Sequence, residues 1–80
     1  MSKLKAEFGK RVKYLRERKG MTQEKLAESI GRSHSTVSKI EQGVHGPRFL
    51  IFERIVTALD SHPREFFDFD WEESNEATYT

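Results

Sequence analysis

The chain has 80 residues, a net charge of +1 and no cysteine, so it suits one small domain and excludes disulfides and zinc–thiolate sites. No apolar run is long enough for a transmembrane helix or the core of a signal peptide, and the expectation is a soluble, cytoplasmic protein. A core this small leaves room for oligomerisation to add stability.

The near-zero charge hides an asymmetry. Residues 1–20 hold eight basic and two acidic residues, and residues 61–80 hold one basic and six acidic. A basic start and an acidic end fit a polyanion at one side of the fold. A solvated helix face with a solubilising tail accounts for the same composition.

Leu4, Phe8, Val12 and Leu15 recur at steps of four, four and three, which predicts an amphipathic helix over about 4–19, stopped by Gly20. Thr22 offers the N-cap of a second helix, with Leu26, Ala27 and Ile30 on its buried face and Gly31 closing it. Ser33 then caps a third helix that ends at Gly43. Only Val37 and Ile40 are strongly apolar here, and at spacing i, i+3 they share one face. His34, Ser35, Ser38, Lys39 and Gln42 occupy the other. A helix this short is not stable alone, so the rest of the chain must hold it. Two short helices joined through a glycine turn predict a helix-turn-helix.

Val44-His45-Gly46-Pro47 predicts a loop. A fourth helix over about 48–59 follows, carrying Phe49, Leu50, Phe52, Ile55, Val56 and Leu59, an apolar face wider than one seam needs. Pro63 suits the first position of a short fifth helix capped by His62 or Ser61. Phe66, Phe67, Phe69 and Trp71 crowd into six positions. Phe66 suits core closure, and the surplus suggests a partner surface. Residues 70–80 form an acidic tail outside the domain of 1–69.

Nothing in the pattern supports catalysis. His34, His45 and His62 lack metal-ligand spacing, and adjacent Ser33, His34 and Ser35 point different ways on a helix. No phosphate-binding glycine loop appears, so neither enzymatic activity nor a cofactor is expected.

Met21-Thr22-Gln23-Glu24-Lys25-Leu26-Ala27-Glu28, Gly31, and Ser33 to Gly43 with its Ile40-Glu41-Gln42-Gly43 ending resemble the lambda-repressor/Cro-like (XRE-type) helix-turn-helix regulators. The resemblance continues through Pro47-Arg48-Phe49-Leu50, Ala58-Leu59 and Glu65-Phe66-Phe67, covering about residues 5–69. It implies an all-α, compact five-helix DNA-binding domain. By the same resemblance, Gln23 contacts a phosphate and braces helix 3, while His34, Ser35 and Lys39 read base edges. Thr36, Ser38 and Gln42 are neighbours of bases or phosphates, and Arg16 pairs with Glu41. Arg11, Lys13 and Arg48 are further phosphate candidates by charge. Asp60 stands where the family commonly ends helix 4 with glycine, His62 where it commonly uses serine, and His34 where arginine or glutamine is commoner.

The implied function is a sequence-specific regulator of transcription, a repressor, that reads the major groove of double-stranded DNA as a homodimer. Helix 4, helix 5 and Phe67, Phe69 and Trp71 form the candidate dimer surface. The alternative is a protein-interaction module, such as an antitoxin or adaptor, using the C-terminal aromatics or tail on the same fold.

Overall fold

The computed structural model describes residues 2–71, and the acidic stretch 72–80 of the expected tail lies outside them. Four α-helices appear, with no strand among the described residues: α1 Lys3–Arg18, α2 Gln23–Ile30, α3 His34–Glu41 and α4 Phe49–Ala58. A 3₁₀ turn at Pro63–Phe67 follows.

Local chemistry sets most boundaries. The hydroxyl oxygens of Ser2, Thr22 and Ser33 accept from Lys5 N (3.3 Å), Lys25 N (3.0 Å) and Thr36 N (3.2 Å), satisfying first-turn N–H groups of α1, α2 and α3. Gly31 takes a left-handed φ of 70° after α2, where Arg54 Nη1 also donates to the carbonyl of Ile30 at 3.1 Å. That cation sits where the helix dipole favours it. After α4, Asp60 adopts φ 49° and reverses the chain in the place of a glycine. Aspartate tolerates this region better than most side chains.

The fifth helix expected from the sequence is not an α-helix. Only five residues separate His62 from Asp68, whose φ of −84° and ψ of 77° leave the helical region. Glu65 N bonds the carbonyl of His62 at 2.9 Å, three residues back, the pattern of a tighter turn suited to short pieces. His62 caps it: its Nδ1 accepts from Arg64 N at 3.1 Å, and Glu65 Oε2 accepts from His62 N at 2.7 Å.

The core is one cluster drawn from every element. Phe8, Val12 and Leu15 meet Leu26, Ala27 and Ile30, Val37 and Ile40, Ile51 and Ile55, Leu59 and Phe66. Phe66 is fully buried, with its ring 5.4 Å from Phe52 and 5.9 Å from Phe8. Phe67 lies over the same two rings, 5.6 Å from Phe8 and 5.8 Å from Phe52, and stays half exposed.

Candidate nucleic-acid interface

The third helix is held from behind. Val37 and Ile40 are buried, an effect worth about 1.5–3 kcal/mol for each side chain. Its C-terminal end presses on α1 through two glycines. A Cβ on Gly9 would collide with the carbonyl oxygen of Ile40 and lie 2.8 Å from that of Glu41. One on Gly43 would lie 2.8 Å from the Cα of Ala6. The two backbones approach to a distance that any larger residue would prevent.

A polar chain then ties α1, α2 and α3 together. Arg16 Nε donates to Glu41 Oε2 at 2.6 Å, and its Nη2 donates to Oε1 at 3.0 Å. Its Nη1 donates to the carbonyl of Met21 at 2.7 Å, fixing the entry to α2. Both side chains are buried, and the bond to Glu41 raises the Arg16 pKa above its ordinary value against the opposing cost of burial. Gln23 Nε2 donates to Glu41 Oε1 at 2.9 Å, and Gln23 Oε1 lies 2.8 Å from His34 Nε2. Every buried side-chain polar atom among the described residues has a partner.

The outer face of α3 is what remains. Ser35, Lys39 and Gln42 are exposed, while Thr36 and Ser38 are partly so. Gln42 Nε2 donates to Ser38 Oγ at 2.7 Å, and the hydroxyls of Ser33 and Thr36 pair at 3.1 Å. Arg32, Ser35, Thr36 and Lys39 line one side of a groove of about 360 Å³, and His45, Gly46, Pro47 and Arg48 line the other. Arg32 and His45 are not among the DNA contacts expected from the sequence. Their signal was a basic or titratable side chain in each connection flanking α3. Lys13 is exposed on α1.

Arg11 stands apart from this face. Its Nε donates to the carbonyl of Glu65 at 2.8 Å, and its guanidinium lies 4.8 Å from the centre of the Tyr14 ring. Two residues after Gly9, it is turned roughly 160° around α1 from the side that meets α3. The structure makes Arg11 the link between α1 and the 3₁₀ turn.

A second surface lies on α4. Phe49 is 90% exposed and Leu50 54%. Together with Phe52, Glu53, Val56 and Pro63 they line an apolar groove of about 480 Å³. Of the aromatics expected at a partner surface, Phe67 and Trp71 are exposed and Phe69 is partly buried.

Among the described residues no cluster of histidine and carboxylate side chains could hold a metal ion, and no helix is long and apolar enough to cross a membrane.

Two short capped helices across a glycine turn, the second buttressed and polar outward, define a helix-turn-helix protein. The family model described as a helix-turn-helix domain matches residues 7–66, and the chain belongs to that family, among its XRE-like regulators. It is 39% identical over 57 residues to YgzD of Bacillus subtilis (strain 168), an uncharacterised HTH-type transcriptional regulator; the match covers 71% of this chain and 86% of YgzD. An uncharacterised HTH-type transcriptional regulator of Archaeoglobus fulgidus is 32% identical over 63 residues, covering 79% and 90% of the two chains. Among solved structures, the restriction-modification controller protein C.AhdI from Aeromonas hydrophila superposes with a TM-score of 0.74 at 39% identity, covering 78% of this chain and 94% of that one. The clp gene regulator ClgR from Corynebacterium glutamicum shares the fold, with a TM-score of 0.79 at 23% identity over 82% of this chain and 70% of that one.

Proposed function

We propose that the protein is a sequence-specific regulator of transcription that inserts α3 into the major groove of double-stranded DNA and binds as a homodimer. The observation that carries this is the division of α3. Its inner side is fixed by core packing, the glycine contacts and the Arg16–Glu41–Gln23 chain, while its outer side presents polar and basic groups without apolar cover. The major groove admits a helix of this kind, read from its N-terminal part.

On this reading His34, Ser35 and Lys39 read base edges. Gln23, Thr36, Ser38, Gln42, Lys13 and Arg48 contact or support contacts to phosphate, with Arg32 and His45 added by the groove beside α3. Phosphate contacts set register and base contacts set sequence. The apolar α4 groove, with Phe67, Phe69 and Trp71 near the chain's C-terminal side, is assigned to the second copy. Two copies would then meet half-sites about one helical turn apart. A dimer seated across a promoter excludes other proteins from the same groove, so repression is the output assigned. The likeness to a controller protein supports a regulatory role.

Selecting duplexes from a random pool and titrating the enriched site with salt tests the proposal. Binding should fall steeply as salt rises, as counterions released from phosphate demand. Failure to enrich any duplex would overturn it. The alternative, a protein-interaction module such as an antitoxin or adaptor, draws on the near-complete exposure of Phe49. It would give no enriched duplex and a stable heteromeric complex through α4.

A further inference from the structure

The carboxamide of Gln23 is bonded at both ends, and this fixes more than its own position. Glu41 is held by Arg16 in a two-pronged ion pair, so its carboxylate only accepts. The Gln23 nitrogen must therefore face Glu41, at 2.9 Å, which turns the Gln23 oxygen toward His34. That oxygen cannot donate. The 2.8 Å contact with His34 Nε2 is a hydrogen bond only if Nε2 carries the hydrogen.

A neutral imidazole has one hydrogen. With it on Nε2, Nδ1 is an acceptor. Nδ1 has no hydrogen-bond partner among the described residues, and His34 is exposed in the first turn of α3. An unconstrained histidine can present either a donor or an acceptor to a base. Here the choice is made by Arg16, three side chains away in the buried part of the domain.

We infer that His34 is a specificity-determining residue of fixed polarity: it accepts a hydrogen bond from an exocyclic amine in the major groove, adenine N6 or cytosine N4, rather than donating to N7, O6 or O4. This rests on the proposed insertion of α3 into DNA and adds to it the class of base atom that His34 takes. The acceptor atoms of the groove are left to Lys39, which only donates.

The experiment uses the whole chain at pH 8, where histidine is ordinarily neutral. Sites are selected from random duplexes with the wild type and with His34→Ala, and the position whose preference relaxes in the variant is His34's. Single groups are then deleted there. Purine in place of adenine, or 2-pyrimidinone in place of cytosine, removes the amine. A 7-deazapurine removes N7. Loss of the amine should weaken wild-type binding roughly tenfold and leave His34→Ala unaffected, while loss of N7 should change nothing. In Gln23→Ala the hydrogen is free to sit on either ring nitrogen, and the penalty for losing the amine should shrink.

A penalty for losing N7 with none for losing the amine overturns the inference. So does an amine penalty undiminished in Gln23→Ala, or a His34→Ala variant that relaxes no position. Each of these leaves the DNA-binding proposal standing, because the wild type still enriches a site. No enriched site at all would remove the proposal and the inference together.

Discussion

Arg16 and Glu41 grip each other through two hydrogen bonds, 2.6 and 3.0 Å long, with both side chains buried. Removing one partner would leave the other as an unpaired buried charge. Arg16→Met should therefore destabilise the domain by about 3–5 kcal/mol, read from urea unfolding. The pKa of Arg16 is raised on folding, so its contribution is complete below the ordinary arginine value and is lost only as pH climbs through the higher, folded-state value. Titration of Arg16 therefore contributes no slope to stability between about pH 6 and pH 9. Greater alkaline sensitivity of wild type than of the variant within that window would contradict the assignment.

Gly9 gives a second test of how α3 is held. In Gly9→Ala the new methyl meets backbone carbonyls of Ile40 and Glu41, which cannot rotate away. A loss of about 1–3 kcal/mol is expected in thermal or denaturant unfolding. Gly46→Ala is the control, since its Cβ would lie 3.7 Å from Lys5 Cγ in ordinary contact. Equal stability of the two variants would mean that α1 and α3 are not in fixed register.

Lys39 is exposed on the outer face of α3, so its replacement should not disturb folding. Lys39→Ala should relax one base position in each half-site and cost about 1–3 kcal/mol of binding. Site selection with the variant checks this. A uniform loss on all sequences would make Lys39 a phosphate contact instead.

Arg11 and Arg48 carry the same charge but should behave differently. Arg48→Ala should weaken binding on all sequences and reduce the salt slope by about 1. Arg11→Ala should leave the slope unchanged and destabilise the fold modestly, because its Nε holds the carbonyl of Glu65. A reduced slope in Arg11→Ala would make it a phosphate contact as well.

Phe49, 90% exposed, is the most direct probe of the α4 surface. Phe49→Glu should fold normally and sediment as a monomer, while the wild type sediments at twice that mass if the proposed dimer forms. A wild type already sedimenting as a monomer would remove the assigned dimer.

These predictions draw unequally on the sequence. Thr22, Ser33 and Gly31 announced their roles because a cap acts within three or four residues of itself. The apolar spacing of α1 and the inward pair Val37 and Ile40 were legible for the same local reason. The fifth element was placed but mistyped, because apolar pattern does not separate one turn of 3₁₀ from a short α-helix. The partners of Arg11 and His34 could not be read. Each is set by packing across the chain, with Glu65 54 residues from Arg11 and Gln23 11 residues from His34. Charge alone makes Arg11 a phosphate candidate, and its bond to the carbonyl of Glu65 is visible only in the fold.

The glycine contacts at Gly9 and Gly43 seat the end of α3 through its backbone, and Val37 and Ile40 hold its inner side in the core, with no part taken by Ser35 or Lys39. Ser35, Lys39 and Gln42 can then be exchanged with little effect on folding. A library varied at those positions should yield soluble, folded members almost throughout, making the domain a chassis for new α3 surfaces whose tilt is inherited from α1.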